Sequence, residues 1–321
     1  MQGLNGGVLG LNILVAGGAG FIGSNLVDTL LERGYAVKVL DDFSSGKPEN
    51  LAGHAGAKNF ELIRGSILDM AKIVGAIKGI DAVVNLAAKG NLAKSVEDPL
   101  SYHDVNTTGT LNLLHACVKH EVKKFVFTSS GSVYKSEITG PISEDAPYGP
   151  ESPYAATKVC AEIYAKTFRR VYGLNTVILR LFNVYGPRRE KSSYSGAVTN
   201  FILKVMRGEE VEVFGDGCDV RDYVYVGDVV KAIILSLEKD VSGEYNVGTG
   251  IGTTTNSLVD LVGKVVGVKP NIVHRPKRQG DTPSRIANIA KSSVELGYYP
   301  EYDLYTGLVR LKNYLLANAV I

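Results

Sequence analysis

The chain has 321 residues, 35 lysines and arginines against 33 aspartates and glutamates, a formal net charge of +2, and 45% hydrophobic residues. That length suffices for two domains, or one large one with a sizeable core. The near-neutral balance and scattered basic residues exclude an electrostatic nucleic-acid surface. The longest apolar runs, such as "VVKAIILSL", are too short and too charged to span a membrane, and the five histidines show no metal-ligand spacing.

The opening "MQGLNGGVLGL" has no basic region of the kind that starts a signal peptide, and reads as a lead-in to the first strand. "NILVAG" follows as a buried strand, breaks at "GGAG", and leads into an amphipathic helix, "FIGSNLVDTLLERG", closing at Gly34. "AVKVLD" is a second strand, and "KNFELIRGSI" contains a third. "DAVVNLAA", "KKFVFTSS" and "NTVILRLF" are the fourth to sixth. Helices are expected in "PLSYHDVNTTGTLNLLHACVKH" and "PYAATKVCAEIYAKTFRRVYG". Strands alternating with helices predict an α/β fold, a doubly wound parallel sheet covered on both faces. After Phe182 the rhythm changes to short segments and turns, with a final helix near Leu304 to Leu315. The expected division is a first α/β domain over 11–181 and a smaller C-terminal α/β domain over 182–318. A segment around 221–238 is a candidate to return to the first. Cys117, Cys160 and Cys218 lie far apart with no C-x-x-C pair, which fits a reducing cytosol and plain core or surface positions.

Gly17, Gly20 and Gly23 form a G-x-x-G-x-x-G loop between the first strand and first helix. Glycine allows the tight turn and a close approach of backbone to a pyrophosphate, which the N–H groups of the helix N-terminus then receive. Asp41 ends the second strand about 20 residues on, where a carboxylate accepts hydrogen bonds from ribose hydroxyls and repels a 2′-phosphate. The loop and the aspartate together predict NAD over NADP.

"SPYAATK" places Tyr154 and Lys158 four residues apart, on one face of a helix. A phenol with a pKa of about 10 is a poor base at neutral pH. A neighbouring ammonium and a bound nicotinamide cation would favour its ionised form. Tyr154 could then take a proton from a substrate hydroxyl while hydride leaves the same carbon, with Lys158 also holding a nicotinamide-ribose hydroxyl. Ser130 of "TSSGSVYK", at a strand end, could bond the same substrate oxygen. Y-x-x-x-K alone is common on surface helices; the glycine loop and the serine cluster give it meaning.

The motifs "GGAGFIGS", "DDFSSG", "NLAA", "DVNTTGTLNLL", "TSSGSVY", "SPYAATK", "LRLFNVYGPR", "FGDGCDVRDYVYVGDV" and "RQGD" follow one another from about Asn12 to the C-terminal helix. In them the chain resembles the extended short-chain dehydrogenase/reductases, in particular the NAD-dependent epimerase/dehydratase family and its UDP-glucose 4-epimerases. The resemblance implies a Rossmann fold, with Tyr154 as acid/base, Lys158 as its partner and Ser130 on the reacting oxygen. It implies an NAD site of Gly17, Gly20, Phe21, Ile22, Gly23, Asp41, Asp42, Ser45, Gly46, Ser66, Ile67, Leu86, Ala87, Ala88, Lys89, Asn106 and Ser129, together with Tyr154 and Lys158. It implies a UDP-sugar site of Ser130, Ser132, Tyr154, Asn183, Val198, Arg221, Arg278 and Asp281. Arginine suits the diphosphate because its fork matches phosphate oxygens. Relatives also dimerise through a four-helix bundle. The helices starting near Leu100 and Pro153 carry the apolar stripes for it, although the same stripes could simply face the sheet.

Several positions depart from the family pattern. The 4,6-dehydratases carry an Asp-Glu pair where this chain has Gly131 and Ser132, so water elimination would lack its proton carriers. Enzymes acting on UDP-glucuronate carry threonine and arginine at the places of Asn183 and Glu190, and Glu190 is expected to repel a sugar carboxylate. Ser66 replaces an aspartate of the adenine-binding segment. Lys89 and Asn91 lie in a sugar-facing loop that often reads Gln and Ser. Arg285 occupies a gate position, filled by tyrosine in glucose/galactose enzymes and by small residues in those admitting N-acetyl sugars; as a bulky, flexible side chain it leaves the sugar open. The reading is C4 inversion of a UDP-hexose, UDP-glucose/UDP-galactose first, through a 4-keto sugar that turns about its diphosphate link. A UDP-N-acetylhexosamine 4-epimerase is the alternative. A non-catalytic NAD sensor is the rival of another class, and it would not need the Tyr154, Lys158 and Ser130 set. No metal, membrane or nucleic acid is expected, and the place is cytoplasmic.

Overall fold

The computed structural model describes residues 10–190, 196–276 and 285–318. Its first half runs β1 (Asn12–Ala16), α1 (Phe21–Glu32), β2 (Ala36–Asp41), β3 (Phe60–Arg64), α2 (Met70–Ile77), β4 (Ala82–Asn85), α3 (Leu92–Glu97), α4 (Pro99–His103), α5 (Gly109–Lys119) and β5 (Lys124–Ser130). There follow β6 (Pro141–Ile142), α6 (Pro153–Tyr172), β7 (Asn175–Leu181), β8 (Asn183–Tyr185), α7 (Gly196–Met206), β9 (Val211–Phe214), β10 (Val220–Tyr225) and α8 (Val226–Glu238). The chain ends with β11 (Gly243–Val247), β12 (Gly252–Thr254), α9 (Thr255–Val266), β13 (Ile272–Arg275), β14 (Ile286–Ala287) and α10 (Leu304–Ala317).

Seven parallel strands form the central sheet in the order β11-β7-β5-β4-β1-β2-β3. Residues of β1 alternate between two cores. Ile13 and Val15 pack with Leu26 and Leu30 of α1 and Ile233 of α8, while Leu14 and Ala16 pack with α2, α5 and α6 through Ile73, Leu113 and Ala161. Both faces are therefore buried, which is why β1 reads as continuously apolar. The edge strand β3 differs: Glu61, Leu62 and Arg64 are exposed, because one side of an edge lacks a neighbouring layer.

Six of these seven strands are those expected from the sequence. The seventh, β11, pairs with β7, and α8 before it packs on α1, β5 and β7, so the chain returns to the sheet after β10. A third core unites α7, α9 and α10 with β9 and β10, through Ile202, Val211, Val259, Leu308 and Leu311. The single helix expected over 99–120 is divided: α4 and α5 flank a π turn at Asp104–Thr108. The widened turn carries Asn106 into the interior, where its amide bonds Lys89 and Thr157. Such turns recur at functional sites.

Candidate active site

The strand order reverses between β1 and β4, and a cleft of about 1230 Å³ opens over the carboxyl ends of the strands. Clefts at such reversals are where open α/β sheets bind ligands. One wall is the glycine turn. Gly17 adopts φ +80, and a Cβ there would lie 2.6 Å from the Ala87 nitrogen. A Cβ at Gly23 would lie 2.2 Å from the Gly17 carbonyl oxygen. Gly20 caps α1 without a side-chain bond to its first turn, which leaves the helix N–H groups facing the cleft for an anion.

Asp41 ends β2 and is buried. Its Oδ2 accepts from the Ala19 amide at 2.9 Å and its Oδ1 from the Phe43 amide at 2.8 Å. Burial pushes its carboxyl up, and the amide bonds pull it back. Asp42 accepts from Ser44, and Ser45 lies on the wall. Phe21, Ile22, Ser66, Ile67, Leu86, Ala87, Ala88, Lys89 and Ser129 also line the cleft. Gly46 instead packs behind the wall against Ala19, and Asn106 stands behind Lys89, holding its backbone. The Ser66 hydroxyl accepts from the Leu68 amide at 3.3 Å. The buried Ser129 hydroxyl has no partner among the described residues, which leaves it a bond to offer a ligand. The glycine cradle, the uncapped helix, Asp41 and this orphan hydroxyl fit a dinucleotide.

Ser152 caps α6, accepting from the Ala155 amide at 3.1 Å, and Pro153 starts the helix with no N–H to lose. Tyr154 and Lys158 thus face the cleft one turn apart. Burial raises the Tyr154 phenol above its usual range; a hydrogen bond from Ser130 and the charge of Arg189 draw it back. The Ser130 oxygen accepts from the Ser132 amide at 3.2 Å and the Ser132 hydroxyl at 3.0 Å. A hydroxyl has two acceptor positions and one proton, so Ser130 is left to donate, towards the phenol. Lys158 is buried and lowered to about 8 by that burial, with Glu162 opposing. Its ammonium donates to the Thr128 carbonyl at 2.9 Å and lies over Phe127. The Lys158 ammonium is thus anchored on β5 at the cleft wall, and the charge of Arg189 also favours the ionised form of Tyr154. Arg189 also lies over the Phe21 ring at 5.1 Å. It stands next to the quoted "LRLFNVYGPR", but nothing in the spacing singled it out.

Asn183, Val198 and Arg221 line the far part of the cleft, on β8, α7 and β10. Arg278 and Asp281 lie outside the described residues. Two expectations about side chains are corrected. Arg285 is not flexible: it is buried and bonded to the carbonyls of Gly131 and Tyr134. Glu190 is not among the residues lining the cleft: its Oε1 accepts from Tyr314 of α10 at 3.3 Å. Lys89 bonds Ser101 at 2.6 Å, and Asn91 caps α3, so both are engaged with neighbouring helices.

Fold and cleft together define a dinucleotide-binding α/β enzyme with a tyrosine-based acid/base centre. Residues 13–248 match the model of the NAD dependent epimerase/dehydratase family. The chain is 39% identical to UDP-glucose 4-epimerase of Mycolicibacterium smegmatis, over 94% of this chain and 97% of that protein. It is similar to the UDP-glucose 4-epimerase of Thermotoga maritima solved with UDP-glucose (TM-score 0.92, 40% identity, 96% of this chain and 100% of that one). It is also similar to a UDP-N-acetylglucosamine 4-epimerase from Methanobrevibacter ruminantium in complex with UDP-N-acetylmuramic acid (TM-score 0.91, 35% identity, 96% and 99%). The chain belongs to the NAD-dependent epimerase/dehydratase family, is an enzyme of its nucleotide-sugar epimerase type, and uses NAD. Among the described residues no helix is long and apolar enough to cross a membrane.

Proposed function

We propose that this protein inverts C4 of a UDP-hexose, UDP-glucose/UDP-galactose first, through a transient 4-keto sugar. The observation that carries the proposal is the convergence of Ser130, Tyr154 and Lys158 on the cleft that the glycine turn also lines. NAD, held by the glycine turn, Asp41 and Ser129, would supply a reversible hydride acceptor for C4. The chain's own residues do the rest. Tyr154 acts from its ionised form: the phenolate oxygen takes the proton of the 4-hydroxyl, and the phenol so formed later gives it back. Ser130 donates to that oxygen pair, and its own acceptor positions are filled by Ser132, so its proton has one direction to go. Lys158, anchored on Thr128, supplies buried positive charge and a donor for a ribose hydroxyl. The glycine turn, Asp41 and Ser129 hold the dinucleotide; Asn183, Val198 and Arg221, with Arg278 and Asp281, hold the UDP portion. Gly131 and Ser132 supply no carboxyl groups for elimination, which favours epimerisation over dehydration.

The similarity to the N-acetylglucosamine enzyme favours a second reading, a UDP-N-acetylhexosamine as substrate. The test is product analysis by NMR with UDP-galactose, and UDP-N-acetylgalactosamine in parallel, first without added NAD. UDP-glucose from the first supports the proposal. Conversion of the second alone moves the substrate to the N-acetyl class. Silence in both, also with NAD added, refutes both substrates and leaves an NAD sensor.

We also propose a homodimer. Leu100 is 78% exposed, and Ile163, Tyr164, Val171 and Tyr172 form an exposed stripe on α6, so these faces are not spent on the sheet. Three unpaired cysteines suit a reducing cytoplasm.

A further inference from the structure

Arg285 is a cation buried to 7% exposure, with its Nε unpartnered among the described residues. Burying a guanidinium is costly unless its donors find acceptors. Here the acceptors are the main-chain carbonyls of Gly131 and Tyr134, one by each terminal nitrogen, the second at 3.2 Å. These two carbonyls bracket the turn Gly131–Val133, which follows Ser130 and contains Ser132. Ser132 in turn fills both acceptor positions of Ser130. The third neighbour is Glu151, 3.9 Å away, three residues before Tyr154.

The base of Arg285 is equally fixed. Its amide donates to the Val220 carbonyl at 3.2 Å, and its carbonyl accepts from the Asp222 amide at 3.1 Å. The next residues pair with Pro141–Ile142, and the buried Asp222 carboxylate accepts from the Ala287 amide at 3.1 Å. Between Val220 and Asp222 lies Arg221. One side chain therefore spans from the strand carrying Arg221 to the turn carrying the serines.

We infer that Arg285 is a positioning residue for the reaction: it holds the Gly131–Tyr134 turn so that Ser132 orients Ser130 and Ser130 donates to Tyr154. The inference rests on the C4-epimerisation reading. Arg285 lines the same cleft, and its chain of action is Arg285 to turn, turn to Ser130, Ser130 to phenol. A positional error of this kind slows chemistry far more than binding, because the nucleotide is held elsewhere.

The experiment compares wild type, Arg285→Met, Arg285→Lys, Ser130→Ala and the double variant Ser130→Ala/Arg285→Met, with initial rates on the UDP-hexose that wild type converts. Methionine fills the volume without donors; lysine keeps the charge and one donor. Arg285→Met is expected to lower kcat about ten- to a hundredfold with KM changed by less than about threefold. Arg285→Lys is expected to recover part of that loss. Because Arg285 acts through Ser130, the double variant should be no slower than Ser130→Ala. A kcat within about twofold of wild type for Arg285→Met, or losses that multiply in the double variant, overturns the inference. If Arg285→Met does not fold, Arg285→Lys, made both alone and together with Ser130→Ala, decides by the same non-additivity. A wild type that converts no UDP-hexose refutes the functional reading instead, so the two failures are distinct.

Discussion

Replacing Glu162 with glutamine should destabilise the protein by about 3–5 kcal/mol, because it leaves a buried arginine without its counter-charge. Arg180 lies on β7 and Glu162 on α6, both fully enclosed. The Arg180 Nε donates to Glu162 Oε1 at 3.0 Å and to Oε2 at 3.2 Å, and Nη2 donates to Oε2 at 2.7 Å. Nη2 also reaches the Tyr148 hydroxyl at 3.1 Å, and Nη1 donates to the Tyr134 hydroxyl at 2.9 Å and the Glu144 carbonyl at 2.8 Å. Every guanidinium nitrogen is engaged, and Glu162 is the one carboxylate among these partners. At about 1.4 kcal/mol per tenfold, the folded-to-unfolded ratio should fall by roughly two to four powers of ten. For a chain of 321 residues, whose unfolding entropy is roughly 0.7 kcal/mol/K, that is a drop in Tm of roughly 4–7 °C by scanning calorimetry. The double variant Glu162→Leu/Arg180→Met should recover most of the loss, since both charges leave together. A cost below about 1 kcal/mol for Glu162→Gln, or a double variant no more stable than the single, would refute the reasoning.

The remaining predictions concern the cleft. Tyr154→Phe should bind UDP-sugar but lose turnover by about 10²–10⁴, measured by initial rates beside calorimetric binding; near-wild-type rates would sink the acid/base role. Lys158 has its ammonium lowered from 10.5 to about 8, so kcat/KM should fall as pH rises through about 8, and Glu162→Gln should move that limb to lower pH, since Glu162 supports the charge. The stability sign is opposite. Below about 8 both folded and unfolded chains carry the proton and the burial cost is present in full; between about 8 and 10.5 only the unfolded chain keeps it, so stability gains up to roughly 3 kcal/mol. Urea midpoints of wild type against Lys158→Met across that window check it, a flat difference being the contrary result. Gly23→Ala places a methyl 2.2 Å from the Gly17 carbonyl, so purified protein should retain little NAD by chromatography of the released nucleotide; wild-type content would contradict the crowding argument. Ile163→Asp on the exposed stripe should yield a monomer by light scattering, and an unchanged dimer, or a monomeric wild type, would dismiss the proposed interface.

The glycine turn, Asp41 and the pair Tyr154/Lys158 were legible because their chemistry is local. A strand–turn–helix needs glycine where Cβ would strike neighbouring backbone, and four residues along a helix return to one face. Alternation of apolar strands and amphipathic helices likewise carried the parallel sheet. Three-dimensional packing decided the rest. Strand β11 has the composition of a loop-bound segment, and it is the neighbour β7, not its own pattern, that makes it the seventh strand. The direction of long side chains is set by whichever acceptors lie within reach. Lys158 turns to the Thr128 carbonyl, Glu190 turns to Tyr314, and Arg285 is fixed by two carbonyls more than 150 residues earlier in the chain. Sequence by itself determined which residue types stand at the cleft and the chemistry they bring. The tertiary structure alone decided which way they point, because a buried polar group goes to the partner that satisfies it, and that partner comes from another part of the chain.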